Sequence, residues 1–205
     1  MTAHTAQADH TPVSHAKSAS AYRQSTLNNR LGLWLFIISD SFVFIGLMVT
    51  RIYLLGGNRP ELNQLLGLLV TSVLLVSSFC MNRAEVSIAH GDRKNFIIFT
   101  IITIVLGLGF LGGVVGLEWP LASQHFGPDS GPEGAVFFMM TGMHAFHVLT
   151  GVLFLGIVLY NGIKGRYSAE RHWPVEASAN YWHFIDVVWI FFYPALYLIG
   201  TVAVK

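Results

Sequence analysis

Titratable side chains interrupt the apolar segments of this 205-residue sequence at positions where they could do chemistry. The segment YWHFIDVVWIFFYP contains His183 and Asp186, and the segment TGMHAFHVLTG contains His144 and His147. The members of each pair are three positions apart, so a helix places them on one face. Asp40 adds a carboxylate within LWLFIISDSFVF. Imidazole and carboxylate groups are ligands for zinc or non-haem iron, and in membranes they also form proton relays.

Three interpretations of these residues are open from their types and spacing. In the first, the histidines bind a metal or haem, although the sequence has none of the Glu-x-x-His pairs typical of helical metal sites. In the second, Asp40 and Asp186 relay protons, which requires further titratable groups or water. In the third, the groups satisfy one another by His–Asp and Thr hydrogen bonds across helices, and some line a groove for lipid head groups or a partner subunit. On this interpretation we expect His183 and Asp186 to satisfy each other on a buried face. The third interpretation is favoured because it requires no additional component.

The segments that carry these residues are long enough to be transmembrane helices. Hydrophobic residues make up 53% of the sequence and charged residues 11%, whereas soluble domains contain about 25% charged residues. A helix needs about 20 apolar residues to cross the hydrocarbon core. Five such runs occur, at 31–55, 64–88, 95–118, 134–162 and 179–203. The sequence therefore predicts an all-α fold, a polytopic membrane helical bundle with five transmembrane helices.

Lys and Arg are distributed unequally between the two ends of these runs. One side carries nine: Lys17, Arg23, Arg30, Arg83, Arg93, Lys94, Lys164, Arg166 and Arg171. The other side carries three: Arg51, Arg59 and Lys205. Because cytoplasmic loops carry the excess of Lys and Arg, we expect the amino terminus in the cytoplasm and the carboxyl terminus outside.

The polar residues at the amino terminus form a separate compositional region. We expect a flexible tail at residues 1–28 and a five-helix domain at residues 29–205. The tail contains three histidines at irregular spacing: His4, His10 and His15. It has no apolar core, so we do not expect it to be a cleaved signal peptide. The net charge of +1 gives no indication of a nucleic-acid partner, and the single cysteine, Cys80, excludes an internal disulfide.

Glycines recur at four-residue spacing in the third apolar run, which reads GLGFLGGVVG. Small residues at this spacing let membrane helices approach closely. We therefore expect close helix packing at Gly109 with Gly113 and at Gly112 with Gly116, although glycine is also generally frequent in membrane helices.

Several of these motifs together resemble one protein family. YWHFIDVVWIF closely resembles the hallmark of subunit III of haem-copper terminal oxidases, the cytochrome c and quinol oxidases. TGMHAFHVLTG is similar to the family's fourth-span motif, TSVLL to its second span, GDRK to the turn that follows and GLEWP to the end of its third span. Glu176 and Ala177 stand where the family has an EA pair. The resemblance covers residues 25–205 and is closest to the five-helix bacterial form.

The resemblance implies a non-catalytic subunit of a respiratory oxidase that reduces oxygen to water and translocates protons. Such a subunit stabilises catalytic subunit I, binds structural phospholipid and supports proton uptake. It carries no catalytic residue, haem, copper or other metal of its own; haem and copper belong to partner subunits. Further partners are other oxidase subunits and a respiratory supercomplex, in a bacterial inner membrane that the chain crosses several times. The implied polar positions, for packing, lipid or subunit contact, are Asp40, Glu118, His144, His147, Glu176, His183 and Asp186.

Two departures from the family pattern affect this expectation. The family usually has Glu where this chain has Asp40, whose side chain is one methylene shorter. The chain also lacks the first two helices of seven-helix members. In those members the lipid cleft opens between that helix pair and the remaining helices. The alternatives are a subunit-III-like accessory protein of nitric oxide reductases, an autonomous haem or metal protein, and a small transporter. The sequence identifies neither the electron donor nor the haem types of the complex.

Overall fold

The computed structural model describes the backbone of residues 12–202 and the side chains of residues 22–202. Five long helices dominate this part of the chain, joined by short loops. The elements are α1 (Pro12–Leu55), β1 (Asn58–Arg59), α2 (Gln64–Ala89), α3 (Arg93–Leu111), a π-helical segment (Gly112–Glu118), α4 (Trp119–Ala122), α5 (Pro132–Ile163), α6 (Trp173–Tyr193), a second π-helical segment (Pro194–Leu198) and β2 (Thr201–Val202).

Four helical stretches in the described region are long and apolar enough to cross a membrane: Tyr22–Leu55, Gln64–Ala89, Arg93–Ala122 and Pro132–Ile163. The all-α fold and four of the five predicted spans are therefore confirmed. Helix α6 corresponds to the fifth predicted run, but it starts at Trp173 and includes Glu176, His183 and Asp186. These polar residues lower its hydropathy, so its crossing of the membrane stays a prediction.

The amino-terminal boundary differs from the sequence-based expectation. Helix α1 begins at Pro12, so residues 12–28, assigned above to a flexible tail, are helical. Residues 1–11, with His4 and His10, lie outside the described residues, as does the side chain of His15. By internal contacts the chain divides into residues 1–36 and residues 37–205. Every tertiary contact described below lies within the second unit.

Local sequence signals set where several helices begin. Asn63 caps α2 by accepting a hydrogen bond from the Leu66 N–H at 3.1 Å, and Asp92 caps α3 through the Asn95 N–H at 3.1 Å. Such side chains satisfy backbone donors that have no partner within the helix. Pro132 and Pro174 lie in the first turns of α5 and α6, where a missing N–H costs no helical hydrogen bond.

The core of the second unit is built around the buried face of α6. Trp182 and Trp189 are each 1% exposed. The Trp182 ring occupies the space left by two glycines: a Cβ added at Gly107 would lie 2.6 Å from it, and one added at Gly151 would lie 2.9 Å from it. Large aromatic rings at glycine positions bring helix backbones close together, so α3, α5 and α6 share one tightly packed centre.

Of the four glycines of the third run for which close packing was predicted, only Gly113 shows it. A Cβ at Gly113 would lie 2.5 Å from the Val70 side chain, whereas Gly109, Gly112 and Gly116 have open space around the Cβ position. The prediction is therefore wrong for those three glycines. Two of them lie in the π-helical segment Gly112–Glu118, whose wider turn changes which residues face the neighbouring helix.

The two short strands join the loop after α1 to the carboxyl-terminal residues. Asn58 pairs with Thr201 and Arg59 with Val202 in a parallel arrangement. The Thr201 N–H also donates to the Gly57 carbonyl at 3.0 Å. Residues far apart in the sequence are thus fixed together at one end of the second unit.

Candidate functional site

Asp40 and His147 form an ion-pair contact between α1 and α5. The His147 Nε2 atom lies 3.3 Å from Asp40 Oδ1 and 3.2 Å from Oδ2. His147 Nδ1 lies 2.7 Å from the Met143 carbonyl oxygen, which can only accept, so Nδ1 carries the hydrogen. The contact between Nε2 and the carboxyl group therefore needs one further proton, held either by the ring or by the acid. In either arrangement the pair is neutral overall, which suits an apolar environment.

Hydroxyl groups extend this contact to α6. The Thr150 hydroxyl donates to the His147 carbonyl at 2.8 Å and lies 2.9 Å from the Tyr181 hydroxyl. The edge of the Phe44 ring packs against the His147 ring, with centroids 4.8 Å apart. Asp40, His147, Thr150 and Tyr181 thus link α1, α5 and α6 by polar contacts.

His183 has a different partner from the one expected. Its Nδ1 atom lies 2.7 Å from the Ser78 hydroxyl of α2. No hydrogen bond between His183 and Asp186 occurs within the described residues, so the expected pairing of these two side chains is wrong. Residues three apart on a helix project about 60° from one another. Both side chains nonetheless face Ser78 of α2, His183 through this hydrogen bond and Asp186 without one of good geometry.

Asp186 and His144 are buried without a protein partner of good geometry. Asp186 is 4% exposed and faces Ser78, yet neither carboxyl oxygen is hydrogen-bonded within the described residues. His144 is fully buried, and both ring nitrogens likewise lack a partner there. The His144 ring instead packs on Trp189, with centroids 4.7 Å apart, and against the Phe110 ring at 5.4 Å. The two histidines of the HxxH motif therefore have unrelated surroundings.

Three tryptophan side chains make interhelical hydrogen bonds that the sequence analysis missed. The Trp182 N–H donates to the Ser77 hydroxyl at 3.1 Å, and the Trp189 N–H donates to the Thr71 hydroxyl at 2.9 Å. Trp119 donates to the Thr141 hydroxyl at 3.0 Å. A buried indole N–H usually finds an acceptor. The Ser and Thr residues within the apolar runs were therefore the sequence signal for these hydrogen bonds.

Glu118 and Glu176 lie at opposite ends of the spans and take no part in the Asp40 contact. Glu118 is 2% exposed and accepts a hydrogen bond from the Tyr197 hydroxyl, which joins the two π-helical segments. Glu176 lies in the first turn of α6, within electrostatic range of Glu85. The seven residues grouped by the sequence analysis thus occupy several separate sites.

Arg51 is a further buried charge that the sequence analysis counted only as a topology signal. It is 2% exposed, and its guanidinium donates to four backbone carbonyls. These are Ala195 at 2.8 Å, Gly56 at 3.0 Å, Asn58 at 3.2 Å and Ile199 at 2.7 Å. Carbonyls at helix carboxyl ends carry partial negative charge and lack helical partners. Arg51 therefore connects the end of α1 to the end of the second π-helical segment.

The described residues contain no group of three or more His, Cys, Asp or Glu side chains that could hold a metal ion. Most of the contacts described above instead join one helix to another. The chemistry that the arrangement can perform is holding helices together and holding one proton between Asp40 and His147.

Comparison with known proteins identifies the family. The family model for cytochrome c oxidase subunit III matches residues 15–201. Cytochrome c oxidase subunit 3 of Xenopus laevis is 39% identical over 185 residues, and that of Salmo salar is 36% identical over 187 residues. In both cases the alignment covers 84% of this chain and 70% of the relative. The protein of Gadus morhua is likewise 36% identical over 185 residues. The chain therefore belongs to the cytochrome c oxidase subunit III family, as a membrane-embedded part of an oxidase complex.

Proposed function

We propose that the chain is the non-catalytic subunit III of a respiratory haem-copper oxidase that reduces oxygen to water and translocates protons. In this proposal it stabilises the catalytic subunit I, while haem and copper are held by partner subunits. It crosses a bacterial cytoplasmic membrane five times, with the amino terminus in the cytoplasm and the carboxyl terminus outside. The unequal distribution of Lys and Arg supports this orientation.

The observation that carries the proposal is that polar groups inside the spans are used to join helices. Asp40 with His147, Ser78 with His183, and the two indole donors of α6 each connect side chains of different helices. An ionisable group in a span is by default a candidate for ion or proton transport. Here Asp40, His147 and His183 have partners on other helices, although Asp186 and His144 have none within the described residues. The partnered groups favour a scaffold that holds its shape beside a catalytic subunit.

The proposal includes two supporting roles. Structural phospholipid would cover the apolar side chains that the second unit exposes along α1, among them Ile38, Phe42, Ile45 and Val49. Proton uptake would be supported at the end that carries most Lys and Arg. At that end Glu85 lies within electrostatic range of Glu176 and His172. We propose that these three side chains together exchange protons with water.

The test compares the intact complex with one that lacks this chain. The complex is purified in mild detergent, and oxygen consumption is recorded with reduced cytochrome c and with quinol. We expect haem and copper in other subunits, and an initial rate of oxygen reduction that survives removal of the chain but decays faster during turnover. A stoichiometric haem or metal in the isolated chain would refute the proposal. So would a complex that reduces nitric oxide but not oxygen.

A further inference from the structure

A stripe of polar side chains follows the helix face that α2 and α6 share. It has members on both helices at spacings of four and three residues, which are Ser78, Asn82 and Glu85 on α2 and Glu176, Asn180 and His183 on α6. Residues at these spacings lie on one face of a helix. Asn82 and Asn180 are not among the polar positions that the family resemblance implies.

Two contacts join the halves of the stripe at its ends. The Ser78 hydroxyl lies 2.7 Å from His183 Nδ1, and Glu85 lies within electrostatic range of Glu176. The two asparagines lie between these ends. The side chains of the stripe therefore form one continuous feature of the helix pair.

The stripe begins in the middle of a span. Ser78 is near the centre of the apolar stretch Gln64–Ala89, so His183 lies at the same depth. From there the stripe runs toward the end of α2 at which Lys and Arg are most frequent. A polar side chain that faces hydrocarbon at such a depth is costly, and it normally faces a protein neighbour or a water-filled cavity.

Three polar groups of the stripe have hydrogen bonds left to make. The side chains of Asn82, which is exposed, and Asn180, which is half-buried, make no hydrogen bond within the described residues. His183 is half-buried, and its Nε2 atom likewise lacks a partner in that part of the chain. Whichever tautomer bonds to Ser78, Nε2 keeps one hydrogen bond to make.

Depth and charge disfavour two common neighbours of such a stripe. Lipid head groups lie at the membrane surface, and the acyl chains that reach mid-span offer no hydrogen bond. A second copy of the chain, paired through the same stripe about a two-fold axis along the membrane normal, would bring its Glu85 and Glu176 against those of the first copy. A different polypeptide with complementary groups fits best.

We propose that the stripe is the docking surface for a transmembrane helix of another subunit of the complex. This helix is apolar apart from hydroxyl or carboxamide side chains that recur on one face at spacings of three or four residues. Such groups both donate and accept, so they bond to either tautomer of His183 and to both asparagine amides. Interhelical hydrogen bonds of this kind hold membrane helices together.

The inference rests on membership of an oxidase complex and not on the proposed non-catalytic role. A complex that reduces nitric oxide but not oxygen would overturn the proposed function and leave the docking surface in place. An uncovered stripe in an oxygen-reducing complex would overturn the docking surface alone.

The first test places the photoreactive residue benzoylphenylalanine at position 79 or at position 146 of the chain in the intact complex. Phe79 is 65% exposed and lies three positions before Asn82, whereas Phe146 is 59% exposed and lies on α5. We expect position 79 to cross-link to a membrane-spanning peptide of another subunit, and position 146 to give no cross-link to that peptide. Adducts of position 79 only with lipid, or only with a second copy of the chain, would overturn the proposal. Cross-links from both positions to the same peptide would also overturn it.

The second test replaces both asparagines with leucine and measures how tightly the cross-linked subunit is retained in mild detergent. Because neither amide has a partner within the described residues, the double variant Asn82→Leu/Asn180→Leu should fold. We expect it to bind the partner about tenfold more weakly, the effect of two interhelical hydrogen bonds. Ser72→Leu is the matched control and should bind as the wild type, since the exposed Ser72 hydroxyl already donates to the Leu68 carbonyl of its own helix. Unchanged binding by the double variant, or an equal loss in the control, would refute the polar docking surface.

Discussion

At the scale of single residues, the chain places ionisable side chains inside apolar helices and gives most of them a partner on another helix. His147 uses both ring nitrogens: Nδ1 donates to the Met143 carbonyl of its own helix, and Nε2 contacts the Asp40 carboxyl group of α1. The neutral Asp40–His147 pair avoids the cost of about 2.5–3.5 kcal/mol attached to a lone charge in mid-membrane.

We expect Asp40→Asn to leave assembly intact and to change steady-state oxygen reduction little. The amide retains an oxygen and an N–H that can face His147, and the neutral pair has no net charge to lose. His147→Ala should cost about 1–3 kcal/mol, because it leaves the Asp40 carboxyl group without its partner. Thermal unfolding and turnover of the purified complex measure both effects. Abolished oxygen reduction in a fully assembled Asp40→Asn complex would contradict an accessory role.

The contact between His183 and Ser78 provides a second residue-scale prediction. We expect His183→Ala and Ser78→Ala each to destabilise the complex by about 1 kcal/mol. Because both substitutions remove the same hydrogen bond, the double variant should be destabilised by no more than about 1–2 kcal/mol. Val187→Ala, at an exposed α6 position, is the control. Additive losses in the thermal unfolding of the double variant would show that the two side chains act independently.

The sequence identifies candidate residues more readily than it identifies their partners. Asp40 and His183 stand out because their types do not belong in apolar runs. Ser78 does not stand out, since a serine is tolerated in a span and can bond to its own helix, as Ser72 does through the Leu68 carbonyl. Which serine meets His183 depends on the rotation of α2 relative to α6, and that is set by packing of the whole core.

At the scale of elements, glycines determine how closely α3 can approach its neighbours. Gly107 accommodates the Trp182 ring, while Gly109, two positions further on, has open space. Spacing alone could not distinguish them, because a small-residue motif predicts closeness only when a partner helix lies on that face. The helix starts were more predictable, since Asn63 and Asp92 supply caps through local chemistry.

The two glycines provide a matched pair of variants. We expect Gly107→Ala to destabilise the complex by about 1–3 kcal/mol, since the added Cβ would lie 2.6 Å from the Trp182 ring and overpack the core. Gly109→Ala adds the same methyl group on the same helix without a clash and should cost nothing. The melting temperature in one detergent gives the comparison. Equal melting temperatures for the two variants would refute the close approach of α3 and α6.

At the scale of the whole molecule, the sequence predicted the all-α membrane bundle from run length and composition. Three spans lie within a few residues of the predicted ranges because about 20 apolar residues leave few alternatives, whereas the first begins at Tyr22, before the predicted residue 31. The fifth element was harder to delimit: α6 starts at Trp173, six residues before the expected 179, because Pro174 is compatible with a first helical turn. The two π-helical segments, Gly112–Glu118 and Pro194–Leu198, were not predicted from the sequence.

The orientation can be tested with single cysteines, because the native Cys80 is buried. We expect Gln124→Cys, in the exposed loop after α4, to react with a membrane-impermeant maleimide added to intact cells. Ala169→Cys, in the exposed loop before α6, should react only after the membrane is opened. The unmodified chain should remain unlabelled and serves as control. The reverse labelling pattern would place the amino terminus outside.

The four carbonyls around Arg51 also bear on how the protein is made. Two of them, Gly56 and Asn58, follow Arg51 within a few residues, but Ala195 and Ile199 follow it by 144 and 148 positions. Until those two residues are synthesised, the Arg51 guanidinium has only two of its four carbonyl acceptors. A stop codon at Ile199 should therefore shorten the lifetime of the membrane-inserted chain in a pulse–chase experiment, whereas a stop at Ala203 should not. Equal lifetimes of the two truncated chains would show that completing the Arg51 contacts does not affect degradation of the chain.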